Sequence, residues 1–179
     1  MAKIGKFHLL PTVLRIFDTY FFMKFLFLSV GKSHESFVRE GVEQFSKRIT
    51  HYYPMQWQLV APPKQAGSLS AEQLKLQEGE SILQQLKPDD FLVLLDERGK
   101  MLSSPALAQF IEQRANESTK QVVFLIGGAY GVSEPVFKRA NLVWSLSPLV
   151  FPHQLVRLVL SEQVYRACTI IRGESYHHQ

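Results

Sequence analysis

A short apolar segment that runs directly into a glycine-rich loop is the feature that most restricts the fold of this chain. Residues 122–133 read VVFLIGGAYGVS, and Glu134 and Pro135 follow. An uninterrupted apolar run bounded by glycine is typical of a strand buried on both faces, and Ser-Glu-Pro is typical of a helix start. The segment therefore predicts a strand, a tight loop and a helix in an α/β protein.

The same alternation of strand and helix continues through the chain from residue 24. Apolar runs predict the strands, and the segments between them carry apolar residues three and four apart, which is the period of an amphipathic helix. The predicted strands are 24–30, 55–60, 90–95, 121–126 and 142–146, and the predicted helices are 33–53, 71–86, 104–116, 133–140 and 152–171. Because helices connect successive strands, we expect one domain with a mostly parallel sheet and helices on both faces.

Three local patterns refine this scheme. The sequence Asp96–Gly99 predicts a turn at the end of the third strand, and Ser104 before Pro105 predicts a helix cap. Gly79 within a helix costs about 1 kcal/mol relative to alanine, so we expect close packing against another element there. The residues predicted to share the packed face of that helix are Leu76, Gly79, Leu83 and Leu86.

Length, charge and cysteine content limit the possible classes of function. The 179 residues suffice for one domain with a sizeable core, and the net charge of +4 is compatible with an RNA partner without requiring one. The single cysteine, Cys168, excludes an internal disulfide and a zinc cluster of several thiolates, and it fits a cytoplasmic location. No H-E-x-x-H or C-x-x-C spacing occurs, so no metal site is expected.

The first 22 residues are predicted to lie outside the fold. The apolar run at 21–30 is interrupted by Lys24 and is shorter than the ~20 apolar residues of a membrane-spanning helix. No small-residue cleavage site follows it, as a signal peptide would require. We therefore expect residues 1–22 to be an extension, Met23 to be the functional start, and 23–179 to form the domain.

The glycine loop does not match the common nucleotide-binding motifs. Neither G-x-G-x-x-G nor G-x-x-x-x-G-K-[ST] occurs, and the next strand ends at a serine rather than an acidic residue. A tight turn that needs positive φ angles is the simplest alternative. Asp96 and Glu97 could form an acid–base pair, although adjacent residues in a turn usually face solvent.

Two other segments are candidate binding features. One is the loop Leu146–His153, which reads LSPLVFPH, and the other is the C-terminal tail. Two prolines stiffen the loop, which places apolar side chains beside free backbone groups and could hold a flat heterocycle. The tail, Tyr176-His177-His178, could stack on a base or move a proton. The alternatives are an ordinary core loop and a polar terminus or purification remnant.

Three ordered blocks of sequence resemble the SPOUT-class RNA methyltransferases, and within them the ribosomal RNA large subunit methyltransferase H family. The blocks are LIGGAYGVS, WSLSPLVFPHQLVRLVLSEQVYRA and RGESYHH, supported by MKFLFLSVGK and LLDERGKMLSS. The similarity covers residues 23–178, and residues 1–22 have no counterpart.

This resemblance implies a fold and an activity that the residue patterns alone do not give. It implies a C-terminal trefoil knot and a homodimer whose active site is shared between subunits. It also implies methyl transfer from S-adenosylmethionine to N3 of a pseudouridine in 23S ribosomal RNA of assembled ribosomes. The protein is then expected in the cytoplasm, with no membrane as a partner. The alternative is a non-catalytic ribosome- or RNA-binding module on the same fold.

The resemblance also assigns site residues. The residues expected to contact S-adenosylmethionine are Leu95, Gly127, Leu146, Ser147, Pro148, Leu149, Val150 and Phe151. His153, Arg166, Tyr176 and His177 are expected near the RNA. In this scheme His177 or His153 accepts the N3 proton, Tyr176 stacks on the base, and Arg166 binds phosphate or developing negative charge. His178 stands where the family often has Arg or Lys, which weakens a phosphate contact there.

Overall fold

The computed structural model describes residues 23–176, which form a five-stranded parallel sheet flanked by five helices. The strands are β1 (Lys24–Val30), β2 (Met55–Val60), β3 (Phe91–Met101), β4 (Gln121–Ile126) and β5 (Leu142–Ser145). The helices are α1 (Ser36–Ile49), α2 (Ala71–Leu83), α3 (Ser104–Asn116), α4 (Glu134–Arg139) and α5 (His153–Ile171). The proposed extension, residues 1–22, lies outside the described part of the chain. Within residues 23–176, the helices are too short or too polar to cross a membrane.

The strand order is β2-β1-β4-β3-β5, and every neighbouring pair is parallel. Connections between parallel strands are right-handed. Two connections that step across the sheet in opposite directions therefore lie on opposite faces of it. The steps from β1 to β2 and from β3 to β4 run one way and carry α1 and α3, which both pack against α5. The return steps carry α2 and α4, which pack against each other. The predicted α/β fold with helices on both faces is confirmed, and the trefoil knot stays a prediction.

The sheet has a separate hydrophobic core on each face. The core under α1, α3 and α5 is aromatic, with Phe25, Phe27 and Phe124 stacked edge to face and Trp144 beside them. The opposite core, under α2 and α4, is aliphatic, and it takes the alternate residues of the same strands. All six residues of β4 are buried, as expected for a central strand covered on both sides.

The third strand is longer than its apolar run. β3 continues through Met101, so the prediction of a turn at Asp96–Gly99 that ends the strand is wrong. The register against β5 shifts between Leu95 and Lys100, and pairing then resumes. A Cβ at Gly99 would lie 2.6 Å from the carbonyl carbon of Val143, so this glycine allows the irregular strand to pass β5 closely. Pairing with β5 thus overrides the polar, turn-like sequence.

The start of one helix and the buried face of another also differ from the sequence-based expectation. Ser103 rather than Ser104 caps α3, because its Oγ accepts a hydrogen bond from the Ala106 N–H at 3.3 Å. On α2 the buried face carries Glu78 and Gly79, whereas Leu76 is exposed. The buried residues of α2 are Leu74, Glu78, Gly79 and Ile82.

Gly79 packs α2 against the start of α4, which confirms the expected close contact. A Cβ at Gly79 would lie 2.1 Å from Ser133 Oγ and 3.0 Å from Ser133 Cβ. Such separations are shorter than real Cβ contacts, so any side chain here must push α2 away from the loop that follows β4. Glycine at 79 therefore sets the spacing between α2 and that loop.

We expect Gly79→Ala to lower the free energy of unfolding by about 1–2 kcal/mol, because overpacking outweighs the better helix propensity of alanine. Gly79→Ala with Ser133→Gly should recover much of that loss, since the clashing side chain is removed. Gly67→Ala is the matched control, because no atom lies within 4 Å of a Cβ there. Denaturant unfolding of the variants measures the effect, and a stability of Gly79→Ala equal to that of the wild type would contradict it.

Candidate functional site

A pocket of about 580 Å³ opens at the carboxyl ends of β3, β4 and β5. The connections after β3 and β4 leave toward opposite faces of the sheet, and such a point in a parallel sheet forms a crevice. The volume is in the range of small-molecule sites. The wall consists of residues 95–98, 126–132, 144–147 and 149–151, together with Lys75, His153 and Val156.

The glycine loop after β4 forms one wall, and its three glycines serve different needs. A Cβ at Gly127 would lie 2.7 Å from Val132 Cγ1, and a Cβ at Gly128 would lie 2.1 Å from an oxygen of Glu78. Only Gly131 has a positive φ, +81°, and its N–H donates to the carbonyl of Gly128 at 3.0 Å. Close approach therefore requires the first two glycines, and turn geometry requires the third.

The loop after β5 forms the opposite wall. Ser145 Oγ donates to the Ser147 carbonyl at 3.0 Å, and Ser147 Oγ accepts from the Leu149 N–H at 2.9 Å. These bonds fix the loop while Leu149 and Val150 remain 69% and 79% exposed. Within residues 23–176, the backbone N–H groups of Val150 and Phe151 have no hydrogen-bond partner. An apolar wall with unused donors suits a planar ligand that carries acceptor atoms.

The structure brings most of the predicted donor-binding residues together around this pocket. The predicted residues that line it are Leu95, Gly127, Leu146, Ser147, Leu149, Val150, Phe151 and His153. Pro148 belongs to the same loop but is not part of the pocket wall.

Charged side chains occupy the rim of the pocket near β3. Arg98 donates two hydrogen bonds to the Asp96 carboxylate, at 2.8 and 2.9 Å, and its guanidinium lies 4.8 Å from the ring centre of Phe137. The Arg98 hydrogen bond lowers the pKa of Asp96 below its ordinary value. Asp96 is thus a fixed anion paired to arginine, and the alternative of an acid–base pair with the exposed Glu97 finds no support in this geometry.

His153 is the candidate proton acceptor inside the pocket. It begins α5, and it is half-buried in the pocket wall. Burial, and then the cation of Arg157, lower the pKa of the ring, while a hydrogen bond to the Gly127 backbone acts in the opposite direction. The imidazole is therefore neutral at pH 7, as an acceptor of a proton must be.

Arg157 is a buried cation that the sequence reasoning missed. Its guanidinium donates to Ser29 Oγ at 3.1 Å, to the Lys32 carbonyl at 2.9 Å and to the Val30 carbonyl at 3.3 Å. These bonds attach α5 to the end of β1 and fix the turn of the helix that carries His153. An arginine within the apolar sequence LVRLVL was the available signal.

Arg166 and Tyr176 form a second group near the end of α5. The guanidinium of Arg166 binds Glu162 and lies 4.8 Å from the ring centre of Tyr176. The hydroxyl of Tyr176 also donates to Glu162, at 3.2 Å. Burial, and then the charge of Glu162, raise the pKa of Tyr176, so its hydroxyl stays protonated. Glu162 was missed, although a carboxylate four residues before an arginine on a helix is a recognisable pair.

The two groups lie far apart in one chain. Arg166 follows His153 by thirteen residues of continuous helix, which corresponds to about 20 Å. His177 lies outside the described residues, so its place near the RNA stays a prediction. Within residues 23–176, no three His, Cys, Asp or Glu side chains are grouped so as to hold a metal ion.

Comparison with known proteins identifies close relatives along the whole described region. A family model described as "Predicted SPOUT methyltransferase" matches residues 23–177. The chain is 43% identical over 156 residues to the Cytophaga hutchinsonii protein named ribosomal RNA large subunit methyltransferase H. This alignment covers 87% of this chain and 100% of that protein. It is 41% identical over 157 residues to the Parabacteroides distasonis protein of the same name, with coverage of 88% and 100%.

A solved structure supports the fold independently of close sequence similarity. A probable methyltransferase from Bordetella pertussis aligns with a TM-score of 0.50 and 12% identity, covering 87% of this chain and 99% of that one. At this level of identity the similarity concerns the fold alone.

We expect the His153 imidazole to titrate below pH 6.5, because burial and the Arg157 cation disfavour its charged form. NMR titration of the full chain measures this, and the His153→Asn variant assigns the signal by its loss. A midpoint at or above 6.5 would show that the ring is protonated too readily to act as described.

Proposed function

Since the chain belongs to the SPOUT methyltransferase family, as its sequence predicts, we propose that it transfers a methyl group from S-adenosylmethionine to ribosomal RNA of the large subunit. The observation that carries this proposal is the pocket between the glycine loop and the loop after β5. It lies in the part of the chain that is similar to named ribosomal RNA methyltransferases.

The pocket suits S-adenosylmethionine in size and in chemistry. Leu149 and Val150 offer apolar surface for an adenine ring, and the free N–H groups of Val150 and Phe151 match its ring nitrogens. Gly127 and Gly128 let backbone, rather than side chain, form the opposite wall. When bound, S-adenosylmethionine supplies a methyl group carried on a positively charged sulfur.

We propose N3 of a pseudouridine as the acceptor. Methylation would form an N3–carbon bond as the carbon–sulfur bond of the donor breaks and sulfur keeps the electron pair, and it requires loss of the N3 proton. His153 is neutral and stands in the pocket wall, so it can accept that proton, and His177 is the alternative acceptor. Arg166 and Tyr176 bind the base and its phosphate, since guanidinium and aromatic groups recognise unstacked nucleotides.

The distance between the pocket and Arg166 supports a homodimer with composite sites. About 20 Å of helix separates His153 from Arg166, so one chain cannot place both on a single base. In the proposed twofold dimer the tail of each subunit meets the pocket of its partner, so the dimer contains two equivalent composite sites. The exposed Leu149 and Val150 would be partly covered in such a dimer.

We further propose that the substrate is the assembled ribosome in the cytoplasm. With a net charge of +4, the chain gains little from the counterion release that drives binding to naked RNA. A formed ribosomal surface supplies shape and protein contacts in addition to phosphates. The trefoil knot remains part of this proposal, supported by the membership of the chain in the SPOUT family.

We expect the full chain to label large-subunit RNA when assembled ribosomes from a strain lacking the gene are incubated with methyl-labelled S-adenosylmethionine. Nuclease digestion and mass spectrometry should locate the methyl group on one pseudouridine. Ribosomes from the wild-type strain are the control, because their site is already methylated. Labelling of a uridine or of small-subunit RNA would refute the assigned acceptor, and saturable donor binding without labelling would favour the non-catalytic module.

We expect two inactive variants to restore each other when they are co-expressed with different tags. Gly127→Leu should block the pocket, because even a Cβ there meets Val132, and Arg166→Ala should remove the RNA-side group. Random pairing gives half heterodimers with one intact composite site each, so the mixture should recover about a quarter of wild-type activity. Methyl transfer to ribosomes measures it. If a purified heterodimer of the two variants recovered no methyl-transfer activity, each chain would have to complete its own site.

A further inference from the structure

Glu78 is a buried acidic residue next to the pocket that the proposed reaction does not yet use. Its side chain lies on the packed face of α2 and is 6% exposed. A Cβ at Gly128 would lie 2.1 Å from one carboxylate oxygen and 2.9 Å from the carboxyl carbon. Gly128 is itself part of the pocket wall. One glycine therefore separates this carboxylate from the space that the ligand would occupy.

The carboxylate of Glu78 has no compensating group in the described structure. Within residues 23–176 it makes neither a hydrogen bond nor an ion pair. Lys75, one turn earlier on α2, is paired instead with Glu72 at 2.7 Å. Burial raises the pKa of Glu78, as expected for an anion removed from water without a partner. Such an arrangement costs stability, which suggests that the charge serves the ligand.

The other acidic groups at the pocket are neutralised or exposed. Asp96 is paired with Arg98 through two hydrogen bonds. Glu97 is exposed to solvent, where water and salt screen its charge. Among the acidic residues near the glycine wall in the described part of the chain, Glu78 is the one that is both buried and unpaired, so a charge on it would reach the pocket with the least screening.

We propose that Glu78 makes the pocket favour the positively charged methyl donor over its neutral thioether product. The two molecules differ by one methyl group and one positive charge on sulfur, while their amino-acid and adenosine parts are the same. A buried anion behind Gly128 stabilises the charged sulfur and loses that interaction when the methyl group has left. The preference assists product release after each transfer. This inference rests on the proposed use of S-adenosylmethionine.

The test compares two ligands on the full-length wild type and on Glu78→Gln, which keeps the shape of the side chain and removes its charge. Calorimetry should give about a tenfold loss of affinity for S-adenosylmethionine, or about 1.4 kcal/mol, and less than a twofold loss for S-adenosylhomocysteine. Glu78→Asp should keep the wild-type ratio of the two affinities. Glu80→Gln is the matched control, since it removes a charge from the exposed face of the same helix.

A second readout separates this role from a structural one. Without ligand, Glu78→Gln should have a Tm equal to or above that of the wild type, because an uncompensated buried charge has been removed. A lower Tm, a failure to fold, or equal losses for both ligands would overturn the inference and identify Glu78 as a support of the glycine loop. A wild type that binds neither ligand would overturn the proposed function itself.

Discussion

The burial of the Arg157 guanidinium is the interaction on which the arrangement of the site depends. Three oxygens at the end of β1, from Ser29, Val30 and Lys32, receive its hydrogen bonds and thereby fix the direction in which α5 crosses the sheet. A buried cation whose hydrogen bonds go mainly to neutral oxygens tolerates little displacement, because each lost bond leaves charge unsolvated. The start of α5 is therefore held at the pocket, and the length of the helix determines where its other end lies.

That length divides the chemistry between two places. The first turn of α5 supplies His153 to the pocket, whereas the cluster of Glu162, Arg166 and Tyr176 is about 20 Å farther along. Each group is internally complete: the first holds a neutral imidazole beside a donor-sized cavity, and the second holds a guanidinium already oriented by a carboxylate and an aromatic ring. Because a rigid helix separates them, the proposed function unites the two groups through the association of two chains.

Local sequence patterns suffice to predict the secondary structure where the local preference of the chain and its packing agree. The apolar run of β4, the glycine loop and the helix from His153 were predictable, and so was the distance between His153 and Arg166, which follows from helix length. The polar stretch after Leu95 was misinterpreted because its pairing with β5 is a long-range contact. Glu78 could not be recognised from sequence, since a glutamate beside Gly79 resembles a surface residue until the glycine loop is packed against it. The site residues themselves came from family resemblance rather than from pattern.

The two outer strands of the sheet bear on how copies of this protein can meet. β2 has six residues, with polar Gln56 and Gln58 along it, and β5 has only four. Short or polar border strands are poor templates for another chain to add to the sheet. Self-association by sheet extension, which leads to open-ended fibres, is therefore disfavoured. A twofold dimer that formed through helices and loops would leave both edge strands facing water. Solubility and assembly would then depend on different surfaces.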